Sequence, residues 1–225
     1  METKKQLRVG IYGGSFDPVH NMHSRLANIV TAYLDLDRLE WVPTGASWHK
    51  AGHLSDAKDR INMLELAFQS TAASIREKWQ INTCEIERQG NSYTIDTVKL
   101  LQENQDFAQA QWYLVIGADQ FNVLHTWKDW PELLERVTLA VFDRAGVDLD
   151  VAPEVLEKAR WERIPVTPSP LSSSEIRALV EKLSTPVLQS PAYVVERLYE
   201  FLPPFVPEYI VEHGLYVNEK LQDWK

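Results

Sequence analysis

The residues from Gly13 to His23 read Gly-Gly-Ser-Phe-Asp-Pro-Val-His-Asn-Met-His, and their types and spacing suit the handling of phosphate. Gly13 and Gly14 carry no Cβ, so backbone N–H groups beside them can come close to an anion. Ser15 adds a hydroxyl, and the amides near Phe16 are further donors to phosphate oxygens. His20 and His23 stand at i and i+3 at the start of an expected helix, so both imidazoles point to one side of its first turn. A helix N-terminus supplies unpaired N–H groups and partial positive charge. Imidazoles placed there donate hydrogen bonds to phosphoryl oxygens as charge shifts among them in a transition state. Phosphoryl-type transfer asks the protein mostly to position groups and neutralise charge, so no nucleophilic side chain is required.

Other chemistry is open to the same residues. A glycine pair before a helix is also an ordinary turn, and His-x-x-His is also a metal pair. Cys84 is the single cysteine and no third ligand with zinc-like spacing stands nearby, so no metal ligand is expected. The loop is neither a Walker A sequence nor a Gly-x-Gly-x-x-Gly dinucleotide fingerprint. Towards the other end, Pro170 and Ser172, Ser173 and Ser174 are helix-start chemistry, with Glu175 in the first turn. Arg177 then stands one turn in, where it reaches an anion held at that N-terminus or is simply solvated. The chain carries a formal net charge of -9, so an anionic ligand needs a local cationic cluster, for which His20, His23, Lys50 and Arg177 are the candidates.

These side chains need a frame, and the apolar pattern describes one. Leu7–Tyr12, Arg38–Pro43, Trp79–Ile86, Trp112–Gly117 and Val137–Asp143 read as strands. Ser24–Leu34, Asp56–Phe68 (with Ile61, Leu64, Leu66 and Phe68 apolar) and Tyr93–Glu103 read as helices, and 44–55 as a loop. Strands alternating with helices predict an α/β fold, a Rossmann-like doubly wound parallel sheet with helices on both faces and ligands at the carboxyl ends of its strands. A single domain over 1–225 is expected, its C-terminal part helical from about residue 172 and including an amphipathic helix over Pro191–Phe201. The 225 residues, 44% of them hydrophobic, suffice for one packed core. The acidic balance disfavours nucleic acid and anionic membranes as partners, and one cysteine excludes an internal disulfide framework. No apolar run approaches the ~20 residues of a membrane span, so a cytoplasmic protein is expected, with a homo-oligomer left open.

The first string resembles the signature of the HxGH nucleotidyltransferases, a superfamily that includes nicotinate-mononucleotide, phosphopantetheine and glycerol-phosphate nucleotidyltransferases. Leu171-Ser172-Ser173-Ser174-Glu175-Ile176-Arg177 is similar to that superfamily's Ile-Ser-x-Thr-x-Ile-Arg. Three segments between them carry chemistry of their own. Asn91–Thr97 is a polar turn into a helix whose amides can hold a carboxylate, or simply a helix start. Ile116-Gly117-Ala118-Asp119 ends a strand with an acid suited to a ribose hydroxyl, or to an N-cap. Trp127 and Trp130 can stack on a flat ring or fill the core.

In this order Ser-Tyr-Thr, Ile-Gly-x-Asp and Thr-Trp resemble the nicotinate-mononucleotide adenylyltransferases of bacterial NAD biosynthesis. The resemblance implies Tyr93 and Thr94 beside the pyridine carboxylate, Gly117 and Asp119 near the nucleotide, and Trp127 as the stacking platform. Ser47-Trp48-His49-Lys50 aligns with the family's Pro-Pro-His-Lys, implying His49 and Lys50 near phosphates or pyridine. Phe142-Asp143-Arg144-Ala145-Gly146 matches its strand-end Arg-x-Gly, implying Arg144 at the pyridine nucleotide, and Glu212-His213-Gly214-Leu215-Tyr216 its C-terminal Gly-Leu-Tyr. Met22 replaces a glycine between the histidines, Ser174 a threonine and Trp48 a proline, and the chain is longer than the family needs between Arg177 and Val206. The implied reaction is in-line adenylyl transfer from ATP to nicotinate mononucleotide, with Mg²⁺ accompanying ATP. His20 and His23 would stabilise the transferring group, Ser15 and the Phe16 amides would hold phosphate oxygens, and Ser174 and Arg177, in the motif with Ser173, would bind the β- and γ-phosphates. Asp17 shapes the turn. The alternatives are transfer to nicotinamide mononucleotide or another phosphorylated acceptor, or a non-catalytic nucleotide-binding module.

Overall fold

Six short segments pair into one sheet in the computed structural model, which describes residues 5–45, 54–184 and 190–217. They are β1 (Arg8–Gly14), β2 (Arg38–Pro43), β3 (Trp79–Ile81), β4 (Gln111–Gly117), β5 (Thr138–Phe142) and β6 (Trp161–Ile164). The order is β3-β2-β1-β4-β5-β6, and every neighbouring pair is parallel. Between and after the strands come α1 (Asn21–Tyr33), α2 (Ala57–Gln69), α3 (Ala73–Arg76), α4 (Cys84–Glu87), α5 (Thr94–Gln102) and α6 (Ala118–Asn122). The remaining helices are α7 (Trp130–Arg136), α8 (Pro153–Lys158), α9 (Ser173–Leu183), α10 (Pro191–Leu198) and α11 (Val206–Glu212).

This is the doubly wound, Rossmann-like arrangement that the alternation of elements predicts. From β1 the sheet grows one way to β2 and β3 and the other way to β4, β5 and β6, so right-handed crossovers lie on opposite faces. The order reverses between β1 and β4, whose carboxyl ends are Gly14 and Gly117. A sheet covered on both faces needs apolar residues pointing both ways. Val9, Ile11, Leu114, Ile116, Leu139 and Val141 pack with Phe121, Leu124 and Leu133 on one face. The alternate residues carry an aromatic row, Tyr12 to Trp41 at 5.0 Å and Trp41 to Trp79 at 5.1 Å. Trp79 Nε1 donates to Thr31 Oγ1 at 3.0 Å, which satisfies the buried indole.

The chain divides into two compact units. The first takes 1–14, 26–51 and 77–170 and contains the whole sheet. The second takes 15–25, 52–76 and 171–225, and so includes the start of α1 together with α2, α3, α9, α10 and α11. In this second unit Val194, Leu198, Leu202, Val206 and Ile210 are buried where α10 meets α11. Tyr209 donates to Asp59 Oδ1 at 2.7 Å and accepts from Asn62 Nδ2 at 2.8 Å, which ties α11 to α2. The expected amphipathic helix is α10, capped by Ser190, whose side chain accepts from the Tyr193 amide.

Several local expectations need correction. The strand expected over Trp79–Ile86 ends at Ile81, because Asn82 Oδ1 accepts from the Cys84 amide and turns the chain into α4. β6 escapes the pattern because Trp-Glu-Arg-Ile, at the sheet edge, sets two adjacent charges between its apolar ends and so does not alternate. On α2 the buried stripe is Arg60, Met63, Leu64 and Ala67, an i, i+3, i+4, i+7 set that includes a guanidinium. No helix among the described residues is long and apolar enough to cross a membrane.

Cys84 lines a small cavity with Glu40, Phe107 and Trp112. Burial first, and then the charge of Glu85, push its thiol up to about 11 from an ordinary 9.0. The folded chain therefore holds this proton more tightly than the unfolded one, and stability falls as pH rises from about 9 to about 11. At pH 8 iodoacetamide is expected to label this single cysteine about a hundredfold more slowly in native protein than in urea. Equal rates would contradict the burial.

Candidate active site

The turn after β1 differs from the glycine turn expected there. Gly13 and Gly14 complete the strand, in register with Val42 and Pro43 of β2. A Cβ on Gly13 would meet nothing within 4 Å, so the glycine leaves open space at the strand end. The reversal falls on Phe16, at φ 47°, with its ring fully buried, and the following Asp17–Pro18 peptide is cis. A left-handed phenylalanine persists because the surrounding packing holds it.

In the second unit this turn leads straight into α1, which starts at Asn21 rather than Ser24. His20 is the residue before the helix, and its carbonyl accepts from the amides of His23 and Ser24 at 2.9 and 3.4 Å. The Asn21 amide donates to Phe201 O at 2.9 Å, so the chain segment just after α10 ties down the start of α1. His20 is buried and His23 half-buried, and their rings stack at 3.7 Å with 27° between planes. Phe16 meets His23 edge-on at 5.1 Å. The His20 amide donates to His23 Nδ1 at 3.1 Å. An Nδ1 that accepts leaves the proton of the neutral imidazole on Nε2, so His23 presents an N–H donor on its far side.

The second motif is stitched to the same turn. Ser172 caps α9, its Oγ accepting from the Glu175 amide at 3.3 Å and donating to Glu175 Oε2 at 2.9 Å. Ser173 Oγ donates to Pro18 O at 2.9 Å. Arg177 Nη1 donates to Asp17 O at 2.7 Å, and Nη2 donates to the exposed Ser174 Oγ at 3.3 Å. Arg177 is thus half-buried and oriented, not loosely solvated, with further N–H groups in its guanidinium.

One participant was not legible in the sequence. Arg60 is buried on α2, donating through Nη1 to Ser15 O at 3.0 Å and through Nε to Ser55 O at 3.1 Å. Burial holds its pKa below the ordinary value against the opposing pull of Asp17. The signal was present, an arginine inside the helical stripe 60-63-64-67, but surrounding apolar residues gave other stripes equal standing. Asp17 itself is 1% exposed, with Oδ1 accepting from Tyr216 Oη at 2.7 Å and Oδ2 from the Ser55 amide at 3.2 Å. Its role as a turn-former is a stronger version of the one expected.

The first unit brings together Gly117, Asp119 and Arg144. A Cβ on Gly117 would lie 2.4 Å from Asp119 Oδ1 and 3.4 Å from the Arg144 side chain, so glycine is needed for close approach and not for its dihedral freedom. Asp119 Oδ2 accepts from Arg144 Nη1 at 3.4 Å and from Gln120 Nε2 at 3.1 Å. Its Oδ1 is buried and accepts no hydrogen bond among the described residues. Tyr93 is the N-cap of α5 and Thr94 its first residue, and the Tyr93 side chain makes no capping hydrogen bond. Lys128 Nζ lies 4.6 Å over the Tyr93 ring and pairs with Asp96 at 3.1 Å. Trp127 and Trp130 pack against the core and stay half-buried. Met22 is half-exposed in the first turn of α1. His49 and Lys50 lie outside the described residues.

Comparison with known proteins follows the same lines. A cytidylyltransferase-like family model matches residues 11–179. A probable nicotinate-nucleotide adenylyltransferase of Methylibium petroleiphilum is 39% identical over 219 residues, covering 96% of this chain and 95% of that protein. One of Bordetella avium is 37% identical over 215 residues, covering 93% and 98%. Among solved structures, the Plasmodium falciparum nicotinic acid mononucleotide adenylyltransferase complexed with NaAD shares the fold, with a TM-score of 0.73 at 21% identity over 94% of this chain and 98% of that one.

The hydrogen bond at His23 is directly checkable. Long-range ¹H–¹⁵N spectra at neutral pH are expected to show Nδ1 as the unprotonated nitrogen and Nε2 as the protonated one. The reverse tautomer would disprove the donor geometry described above.

Proposed function

The chain belongs to the cytidylyltransferase-like family, and we propose that it is a nicotinate-nucleotide adenylyltransferase, transferring the adenylyl group of ATP to nicotinate mononucleotide in NAD biosynthesis. A 5′-phosphate oxygen of the mononucleotide forms a bond to the α-phosphorus of ATP. The bond from that phosphorus to the bridging oxygen breaks, and pyrophosphate leaves with the electron pair. The products are nicotinate adenine dinucleotide and pyrophosphate.

The observation that carries this reading is the stacked His20–His23 pair, with Arg177 anchored on the turn that leads into it. His23, with its proton on Nε2, donates to the transferring phosphoryl group, and His20 donates beside it as charge moves towards the leaving group. Ser15 and the amides near Phe16 hold phosphate oxygens, and Ser173, Ser174 and Arg177 receive the β- and γ-phosphates. Asp119 Oδ1 accepts from a ribose hydroxyl, which Gly117 permits by leaving room for that carboxylate, and Arg144 orients it. The first turn of α5 at Tyr93 and Thr94 takes the pyridine carboxylate, and Trp127 stacks on the ring. His49 and Lys50 keep the phosphate or pyridine role that the family resemblance implies. Among the described residues no group of three or more His, Cys, Asp or Glu could hold a metal ion, and Mg²⁺ enters as part of the ATP substrate, on phosphate oxygens and water. The same proposal takes both units as one enzyme of the cytoplasm.

Purified protein with ATP and Mg²⁺ is expected to convert nicotinate mononucleotide with a kcat/KM well above that for nicotinamide mononucleotide. Equal or reversed preference would remove the carboxylate role of Tyr93 and Thr94, and no dinucleotide from either would leave a binding module. His20→Ala is expected to lower kcat by a factor on the order of 10²–10³ with little change in KM, and near-normal turnover would refute its role. Gly117→Ala displaces the tip of one short side chain, so melting is expected to stay within about 2 °C while KM for ATP rises about tenfold. An unchanged KM would detach Asp119 from the nucleotide.

A further inference from the structure

The turn between Ser15 and His20 is held at several points by side chains far away in sequence, and two of them, Arg60 and Tyr216, have no part in the reaction as proposed. Arg60 takes Ser15 O, Ser173 takes Pro18 O and Arg177 takes Asp17 O. The carboxylate of Asp17 is taken by the Ser55 amide and by the hydroxyl of Tyr216, which stands 199 residues further along the chain. Asp17 is too deeply buried to meet a substrate, so its charge serves the turn. Tyr216 is itself unusual, a tyrosine at φ 64° following Gly214 at φ 61°. A left-handed tyrosine is a strained conformation that persists only where its surroundings over-determine it. Burial first, and then the charge of Asp17, push its hydroxyl titration upward, so it remains a donor across the neutral range.

We propose that Tyr216 is a positioning residue for adenylyl transfer: through its hydrogen bond to Asp17 it holds the turn that sets the stacked pair of His20 and His23. This rests on the reading that the two imidazoles meet the transferring phosphate. The phosphates are bound by many donors at once, so a small shift of the turn leaves binding largely intact. The transition state tolerates no such shift, because displacement of a donor by a fraction of an ångström weakens it where charge develops. Losing the hydroxyl therefore lowers kcat and spares KM. A C-terminal residue that served only to tether the fold would lower the melting temperature and leave the turnover of folded protein unchanged.

The test uses the full chain with Tyr216→Phe, Asp17→Asn and the double variant. Tyr216→Phe is expected to lower kcat about tenfold, with KM for both substrates within about twofold. Asp17→Asn is expected to give a similar fall, and the double variant to be no slower than Asp17→Asn alone, since Tyr216 acts through that carboxylate. Folded Tyr216→Phe with kcat within twofold of the parent overturns the proposal, as does a double variant in which the two losses multiply. Should Tyr216→Phe not yield folded protein, Asp17→Asn alone carries the test, and a raised KM with intact kcat would overturn it. His20→Ala separates the two levels: if it is crippled while Tyr216→Phe is normal, only the positioning role fails, whereas a fully active His20→Ala removes the reading beneath it.

Discussion

A carboxylate removed from water must have its lone pairs satisfied by the protein, and that requirement organises the second unit around Asp17. Ser55 and Tyr216 supply the donors, Arg60 supplies a buried positive charge nearby, and the carbonyls on either side of Pro18's nitrogen and carbon skeleton receive Arg177 and Ser173. Helices α2 and α9 and the segment after α11 thus converge on one short turn. Remove the demand at its centre and each of these segments loses a specific reason to be where it is. The apolar contacts among α10 and α11 stabilise the unit without choosing that arrangement, because apolar packing is not directional.

The imidazole pair inherits its geometry from the turn. Phe16 buries its ring and turns an edge to His23, while the His20 backbone serves twice, its carbonyl starting α1 and its amide fixing the His23 tautomer. This is economical chemistry for phosphoryl-type transfer, where oriented donors in fixed positions matter more than reactive side chains. In the sheet unit the same logic appears at the end of β4. Gly117 exists to let the Asp119 carboxylate fold close over the chain, and Arg144 holds one of its oxygens while the other keeps its lone pairs. A parallel sheet whose order reverses between β1 and β4 brings those strand ends side by side, which is why both glycine-bearing termini stand where ligands bind in folds of this kind.

Much of this was legible in the chain itself. The central strands, α1, α5 and α9, the capping by Ser172 and the amphipathic α10 follow from periodicity and helix-start chemistry, which act over a few residues. The His-x-x-His spacing and the two serine-bearing motifs pointed to phosphate for the same local reason. Where local signals competed, the reading slipped. Asn82 diverted a strand into α4 with a single side-chain acceptor, and β6 carried too many charges to announce itself.

What the sequence determined by itself, then, is the succession of elements and the chemical character of each end, because those depend on neighbours three or four residues away. Only the tertiary structure decided that the reversal falls on Phe16 and not on the glycines, that Arg60 is buried, and that Tyr216 closes on Asp17. Those outcomes depend on which buried polar groups find partners once the elements have packed. Spacing in the chain carries no information about a hydrogen bond between residues 199 positions apart, and the need to satisfy a buried charge is felt only when water has left.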